Sequence, residues 1–193
     1  ARKAGDTVLL HSNRFFDPVA GARLYEERFE SYRVAEEVGF DAVIKAAREL
    51  KQRLEAIGLN PFCKTTGGKG LHVVTPLDSS KAKNNVDWKQ AKAFAQAMCQ
   101  LMAQDSPDRY LLNMSKQKRT GKIFLDYLRN DRMSTAVAVL SPRARDFATV
   151  SMPLTWPQVK SGLDPKRYTV ETVPALLRKT KAWADYGKAE TPL

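Results

Sequence analysis

At 193 residues and 43% hydrophobic content, the chain is long enough for one domain with a real core, or for two small ones. Its 32 basic against 21 acidic residues give a net charge of +11 and a pI near 9.7, which favours polyanionic partners: nucleic acid, nucleotides or an anionic membrane surface. Only two cysteines occur, Cys63 and Cys99, without metal-ligand spacing or a disulfide framework, so a reducing cytoplasm fits. No apolar run approaches the roughly 20 residues of a membrane-spanning helix, and Val8 to Leu10 is too short a run for a signal peptide.

In chain order, "TVLL" from Thr7 reads as a strand, and the charged stretch 22–37 has no clean period. From Asp41 the pattern sharpens. Val43, Ala47, Leu50, Leu54 and Ile57 recur at steps of three and four and predict an amphipathic helix, with Asp41 as its N-cap and Gly58 as its stop. "NPFCKTT" predicts a short strand. "LHVVTPL" predicts a second, apolar or β-branched almost throughout and so buried on both faces. A second helix starts at Asp87, with Trp88, Ala91, Ala95, Met98 and Met102 on one stripe, Phe94 and Leu101 beside it, and an end near residue 105. "YLLNMSK" is a short strand or connector, "GKIFLDYL" a strand, "RNDRM" a turn and "STAVAVLS" a further strand. The remainder carries prolines 153, 157, 165 and 174 before a helical close. Mixed helices and strands predict an α/β or α+β sheet with helices packed on it.

Two stretches carry chemistry. The first is the turn "TTGGKG" between the two predicted strands. Glycines 67, 68 and 70 let the backbone approach a ligand closely. Successive backbone N–H groups there suit an anion, and Lys69 adds a compact positive charge. A P-loop would need Gly at 63 and Ser or Thr at 70, where this chain has Cys63 and Gly70. A hairpin turn with one solvated lysine fits the same residues. His72 follows on the rim of a buried strand, as a site residue or as a core histidine satisfied by a neighbour.

The second stretch is "KQKRTGKIFLDYLRND". Lys116, Lys118, Arg119 and Lys122 lead into the apolar run 123–125, and Asp126 ends it. A carboxylate at the end of a buried strand is costly without a partner. A divalent cation supplies one, and so does a nearby lysine or arginine.

Together these motifs resemble the polymerase (primase-like) domain of bacterial ligase D, in the archaeo-eukaryotic primase superfamily. The similarity rests on "TGGKGLH" from Thr66, "KIFLDYLRN", "TAVAVLSPRAR" from Thr135, "PLTWPQV" and "DPKRYTVETVP", in family order across roughly residues 38–180. The resemblance implies a primase-like, two-layer α+β core, a mostly antiparallel sheet with packed helices. It implies a nucleotidyltransferase that adds nucleotides, often ribonucleotides, to DNA ends in non-homologous end joining, using two Mn2+ or Mg2+ ions. Thr66, Lys69, Gly70 and His72 would hold the triphosphate, with Lys116, Arg119 and Arg143 as further cationic contacts. Asp126 would be the catalytic, metal-binding acid. A ligase domain, fused or associated, a Ku-type end-binding protein and a location at the bacterial nucleoid in the cytoplasm follow from the same likeness, and no membrane association does.

The chain departs from the family in two places. The family's acid pair, Asp-x-Asp ahead of the first helix, has no counterpart: Glu30 lies near the expected position and Asp17, in "RFFDP", well upstream. Arg129 stands where the family has the glutamine of a Gln-Asn pair, while Asn130 keeps the asparagine. Residues 1–37 therefore read as a divergent or partial N-terminal segment, and 38–193 as the catalytic core with its closing segment. Two functions fit: a polymerase impaired by the missing acids, or a primase-like module that binds nucleotide and nucleic acid without turnover.

Overall fold

The computed structural model describes residues 7–12, 38–78 and 86–193. Helix α1, Phe40–Ala56, buries Val43, Ile44, Ala46, Ala47, Leu50 and Leu54, so the apolar spacing sets the face that meets the core. Its N-cap is Gly39 rather than Asp41, whose carboxylate sits in the first turn and accepts from Ser161 Oγ at 2.7 Å. An acid in the first turn still complements the helix dipole. Gly58, at φ +82°, turns the chain out of the helix, and Leu59 N–H returns to Leu54 O at 3.0 Å. Ile57 lies beyond the helix and is exposed.

Helix α2, Trp88–Asp105, starts from a capping box. Asp87 accepts from Gln90 N–H at 2.7 Å, and the Gln90 side chain accepts from Asp87 N–H at 2.9 Å. It buries Ala91, Ala95, Met98, Cys99 and Met102, while Leu101 faces solvent. Cys99 belongs to the buried stripe because it lies four residues from Ala95. Arg53 of α1 links the two helices by pairing with Asp105 of α2 at 2.7 Å, and it pairs with Glu49 of its own helix at 2.9 Å.

The strands are β1 (Thr7–Ser12), β2 (Phe62–Thr65), β3 (Leu71–Thr75), β4 (Tyr110–Leu111), β5 (Ile123–Asp126) and β6 (Pro153–Leu154). They form one sheet in the order β4-β5-β1-β3-β2-β6. The chain adopts the expected mixed α+β class. Antiparallel pairing is confined to β2 with β3 and β6; β1 with β3, β1 with β5, and β4 with β5 run parallel. Parallel neighbours need crossover connections: α1 lies on the path from β1 to β3 and α2 on the path from β3 to β5, while β4 reaches β5 through residues 112–122 and the single turn Lys116–Arg119. The strand Thr7–Ser12, from the segment set apart in the sequence, lies between β3 and β5 at the middle of the sheet.

Alternation along the strands then separates two faces. Leu71 and Val73 of β3, Ile123 and Leu125 of β5 and Cys63 of β2 join the core cluster that holds the buried sides of α1 and α2. Their strand neighbours Lys64, His72, Phe124 and Asp126 point to the opposite face.

The predicted strand at 134–141 does not form. Leu140 takes a left-handed backbone, φ +63°, which breaks an extended run, and its N–H donates to Ser151 O at 2.8 Å. Residues 137–152 instead form an irregular strap across the end of β2. The strap is held by Thr65 N–H to Met152 O, Met152 N–H to Thr65 Oγ1 and Ser151 Oγ to Thr65 O, at 2.9, 2.9 and 2.7 Å. The closing segment 178–193 packs on the same sheet edge. Trp183 donates to Cys63 O at 2.9 Å and stacks on Tyr186, with Phe62 edge-on to both rings.

The strap buries Lys64, which is only 3% exposed. Its ammonium donates to Val137 O at 2.6 Å and Ser151 Oγ at 2.9 Å. Burial, with Arg143 acting in the same direction, lowers its pKa to about 7. Between that value and the ordinary lysine value the unfolded chain holds one more proton than the folded chain, so Lys64 adds stability as pH rises through this window. Relative to a Lys64→Met variant, the parent should gain up to roughly 1.4 kcal/mol per pH unit from pH 7 to 10. Denaturant unfolding of both proteins across that range checks this, and a pH-independent difference contradicts it. The variant serves as reference because the buried Cys63 and Cys99 thiols, pushed up by burial, shift stability in the opposite sense.

Candidate nucleotide site

The hairpin register places the site. Lys64 pairs with His72, His72 lies beside position 9 of β1, and position 9 lies beside Asp126. One row thus crosses β2, β3, β1 and β5 on the face away from the helices. At about 4.8 Å per strand, the His72 and Asp126 backbones are roughly 10 Å apart. The glycine turn begins two residues along β3 from the same row. Thr66, Gly70, His72 and Asp126 therefore occupy one region of one sheet face.

Within the turn, Thr66 organises the backbone. Its N–H donates to Gly70 O at 3.1 Å, and its hydroxyl accepts from Gly68 N–H at 3.2 Å and Gly70 N–H at 3.3 Å. Two of the N–H groups expected to face an anion are thus engaged by Thr66. Gly67, at φ +65°, is pressed against Arg143: a Cβ there would lie 2.6 Å from Arg143 Cγ and 3.4 Å from both Ser151 N and Thr149 O. Gly68 packs against the Arg145 guanidinium, which a Cβ would meet at 3.3 Å. Thr149 Oγ1 donates to Gly67 O at 2.6 Å and Arg143 N–H to Thr149 O at 2.8 Å, which fastens the strap to the turn. Lys69, Arg143 and Arg145 are thereby gathered at one bend of the chain. Arg143 is one of the cationic contacts that the family resemblance implies. Arg145, two residues on, was not singled out, although its spacing from Arg143 in "SPRAR" was the available signal.

At the other end of the row, Asp126 is 7% exposed. Its Oδ1 accepts from Leu128 N–H at 3.0 Å and its Oδ2 from Arg129 Nε at 3.1 Å. Arg129 is anchored at its far side as well, donating from Nη1 to Thr135 O at 2.7 Å. Arg119 lies over the Phe124 ring at 4.1 Å and donates to Met114 O at 2.7 Å. Burial lowers the pKa of its guanidinium from the ordinary value, while the charge of Asp126 acts the other way. Lys116 opens the same turn, Lys116–Arg119, and its side chain lies outside the described part of the structure. Asn130 is buried, donating from Nδ2 to Tyr127 O at 3.1 Å. Lys92 of α2 holds Asp131, and with it this loop, at 2.5 Å.

The donor set of the described residues does not fit a two-ion centre. Among the described residues no three His, Cys, Asp or Glu side chains converge, and both oxygens of Asp126 already take N–H donors from its own loop. Asp17 and Glu30 lie outside the described residues. Among the described residues, no helix is long and apolar enough to cross a membrane.

Known proteins resemble this chain in sequence and in fold. The profile of the family described as the LigD primase-polymerase domain matches residues 35–183. The multifunctional non-homologous end joining protein LigD of Pseudomonas aeruginosa is 37% identical over 137 residues, 69% of this chain and 16% of that protein. The bifunctional LigD of Bacillus subtilis is 28% identical over 140 residues, 72% of this chain and 22% of that protein. The solved polymerase domain of Mycobacterium tuberculosis ligase D, in complex with DNA, superposes with a TM-score of 0.68 at 29% identity, covering 81% of this chain and 53% of that one. This chain thus spans a small part of its full-length relatives and about half of the solved domain. With the profile matching most of its length and the motifs falling on one face of the sheet, the chain belongs to the LigD primase-polymerase domain family.

Proposed function

We propose that this chain binds a nucleoside triphosphate at the turn 66–70 and serves DNA end joining as a domain of the nucleotidyltransferase type. The observation that carries this proposal is the gathering of Lys69, Arg143 and Arg145 around a glycine turn on the sheet face that also bears His72 and Asp126. A triphosphate placed there would have its charge spread over cations fixed by backbone, with Gly67 and Gly68 allowing close approach. In nucleotidyl transfer a primer 3′-hydroxyl attacks the α-phosphorus and pyrophosphate leaves. Such chemistry depends on positioning and on stabilising phosphate charge. Thr66 keeps the turn closed, Arg143 and Lys69 bind the leaving phosphates, and the row from His72 to Asp126 faces the reacting end. The net charge of +11 suits a DNA end as second ligand. A ribonucleotide substrate, a ligase partner domain, a Ku-type partner and a place in the bacterial cytoplasm belong to the same proposal, supported by the family; an Mn2+ or Mg2+ requirement belongs to its polymerase form, whose two ions the described residues alone do not hold.

A second function, nucleotide and DNA-end binding without turnover, is favoured by one observation: Asp126 is paired with Arg129 in its own loop. Primer extension with Mn2+ separates the two. Robust addition that Asp126→Asn abolishes supports the polymerase, and absence of addition alongside intact ATP binding supports the binding module.

Two substitutions test the cradle itself. Lys69→Ala should weaken ATP binding by about tenfold or more, measured by calorimetry, since it removes a positioned charge; unchanged affinity contradicts the assignment. Gly67→Ala should destabilise the fold by roughly 1–3 kcal/mol, because alanine meets both a left-handed backbone and the Arg143 side chain. It should also weaken ATP binding by displacing that arginine, and a stable Gly67→Ala protein with parental affinity contradicts the close approach.

A further inference from the structure

We propose that Arg129 is the resident cation of Asp126, a built-in counter-ion that closes this carboxylate to divalent metal. The inference rests on the nucleotide site proposed above, because that site makes Asp126 the acid a metal would use. Three features carry it. First, Arg129 follows Asp126 by three residues across the Tyr127–Asn130 bend, and its Nε reaches Oδ2 at 3.1 Å. Second, the contact is not a loose surface pair. The guanidinium is tethered on its other side to Thr135 O at 2.7 Å, and the loop is fastened to α2 through Asp131 and Lys92. Third, the second oxygen of Asp126 is committed to Leu128 N–H at 3.0 Å, so the same bend supplies a donor to each oxygen.

A divalent ion arriving at Asp126 would have to displace a fixed guanidinium and would lie beside its charge and that of Arg119. The carboxylate is neutralised already, so the described site takes a phosphate tail through side-chain cations rather than through a metal bridge to Asp126. Arg129 acts as a positioning residue: it holds the carboxylate, and its side chain is about half exposed, so its replacement leaves the core intact.

The test is Mn2+ binding to the full chain, read as loss of the free-ion electron paramagnetic resonance signal. Arg129→Gln should bind Mn2+ about tenfold or more tightly than the parent, and the Arg129→Gln/Asp126→Asn double variant should lose that gain. Equal affinity of the parent and Arg129→Gln overturns the proposal. Should Arg129→Gln not fold, Asp126→Asn alone decides. A masked carboxylate predicts Mn2+ binding unchanged from the parent, and weaker binding overturns the proposal by showing that Asp126 is already an open ligand. ATP affinity measured without metal on the same preparations keeps the two proposals apart. Its loss would remove the nucleotide cradle and leave the Mn2+ comparison standing.

Discussion

The alternation of side chains across a sheet covered by helices on one face is the constraint on which the site depends. Because α1 and α2 draw Cys63, Leu71, Val73, Ile123 and Leu125 into the core, the residues between them must emerge on the other side. Lys64, His72 and Asp126 are polar residues within otherwise apolar strands, and the register puts them in one row. A slip of one residue in either β3 or β5 would turn His72 or Asp126 into the core and send Leu71 or Leu125 out, so the hydrophobic pattern that fixes the fold also fixes the site.

The strap 137–152 does for the turn what the helices do for the sheet. Its backbone groups take the Lys64 ammonium and the Thr65 hydroxyl, and it brings Arg143 and Arg145 against Gly67 and Gly68. Left alone, a glycine hairpin with one lysine has little reason to hold a highly charged tail. With the Arg143 side chain pressed against Gly67 through its Cγ and the Arg145 guanidinium against Gly68, it gains two further cations, fastened to the turn by backbone hydrogen bonds. Asp126 at the far end of the row is balanced separately by Arg129.

Much of this was legible from the residues. The three- and four-residue steps of α1 and α2, the largely apolar and β-branched run of β3 and the glycine turn each carry a local physical signal, and the motif order pointed to the family. The misses share a cause, because they depend on partners distant in sequence. "TVLL" reads as a strand, but nothing within it says that it lies between β3 and β5, since parallel neighbours are joined by long crossovers. Residues 134–141 have strand-like composition, yet Leu140 bends and Val137 O serves a lysine more than 70 positions away. The burial of Lys64 could have been reached from the turn, because a hairpin closed at 66–70 sets Lys64 opposite His72. The Asp126–Arg129 pair was visible as an alternative, an acid answered by an arginine, but only the bend at 127–130 decides which arginine.

The central claim is that a triphosphate lies on the sheet face between the turn 66–70 and the end of β5. Hydrogen–deuterium exchange of the chain with and without ATP tests it most directly. The account predicts slowed exchange in the turn, in the strap around Arg143 to Ser151 and in the bend after Asp126, with the outer surfaces of α1 and α2 unchanged. Protection confined to the helical face, or to the closing segment around Trp183, would contradict it.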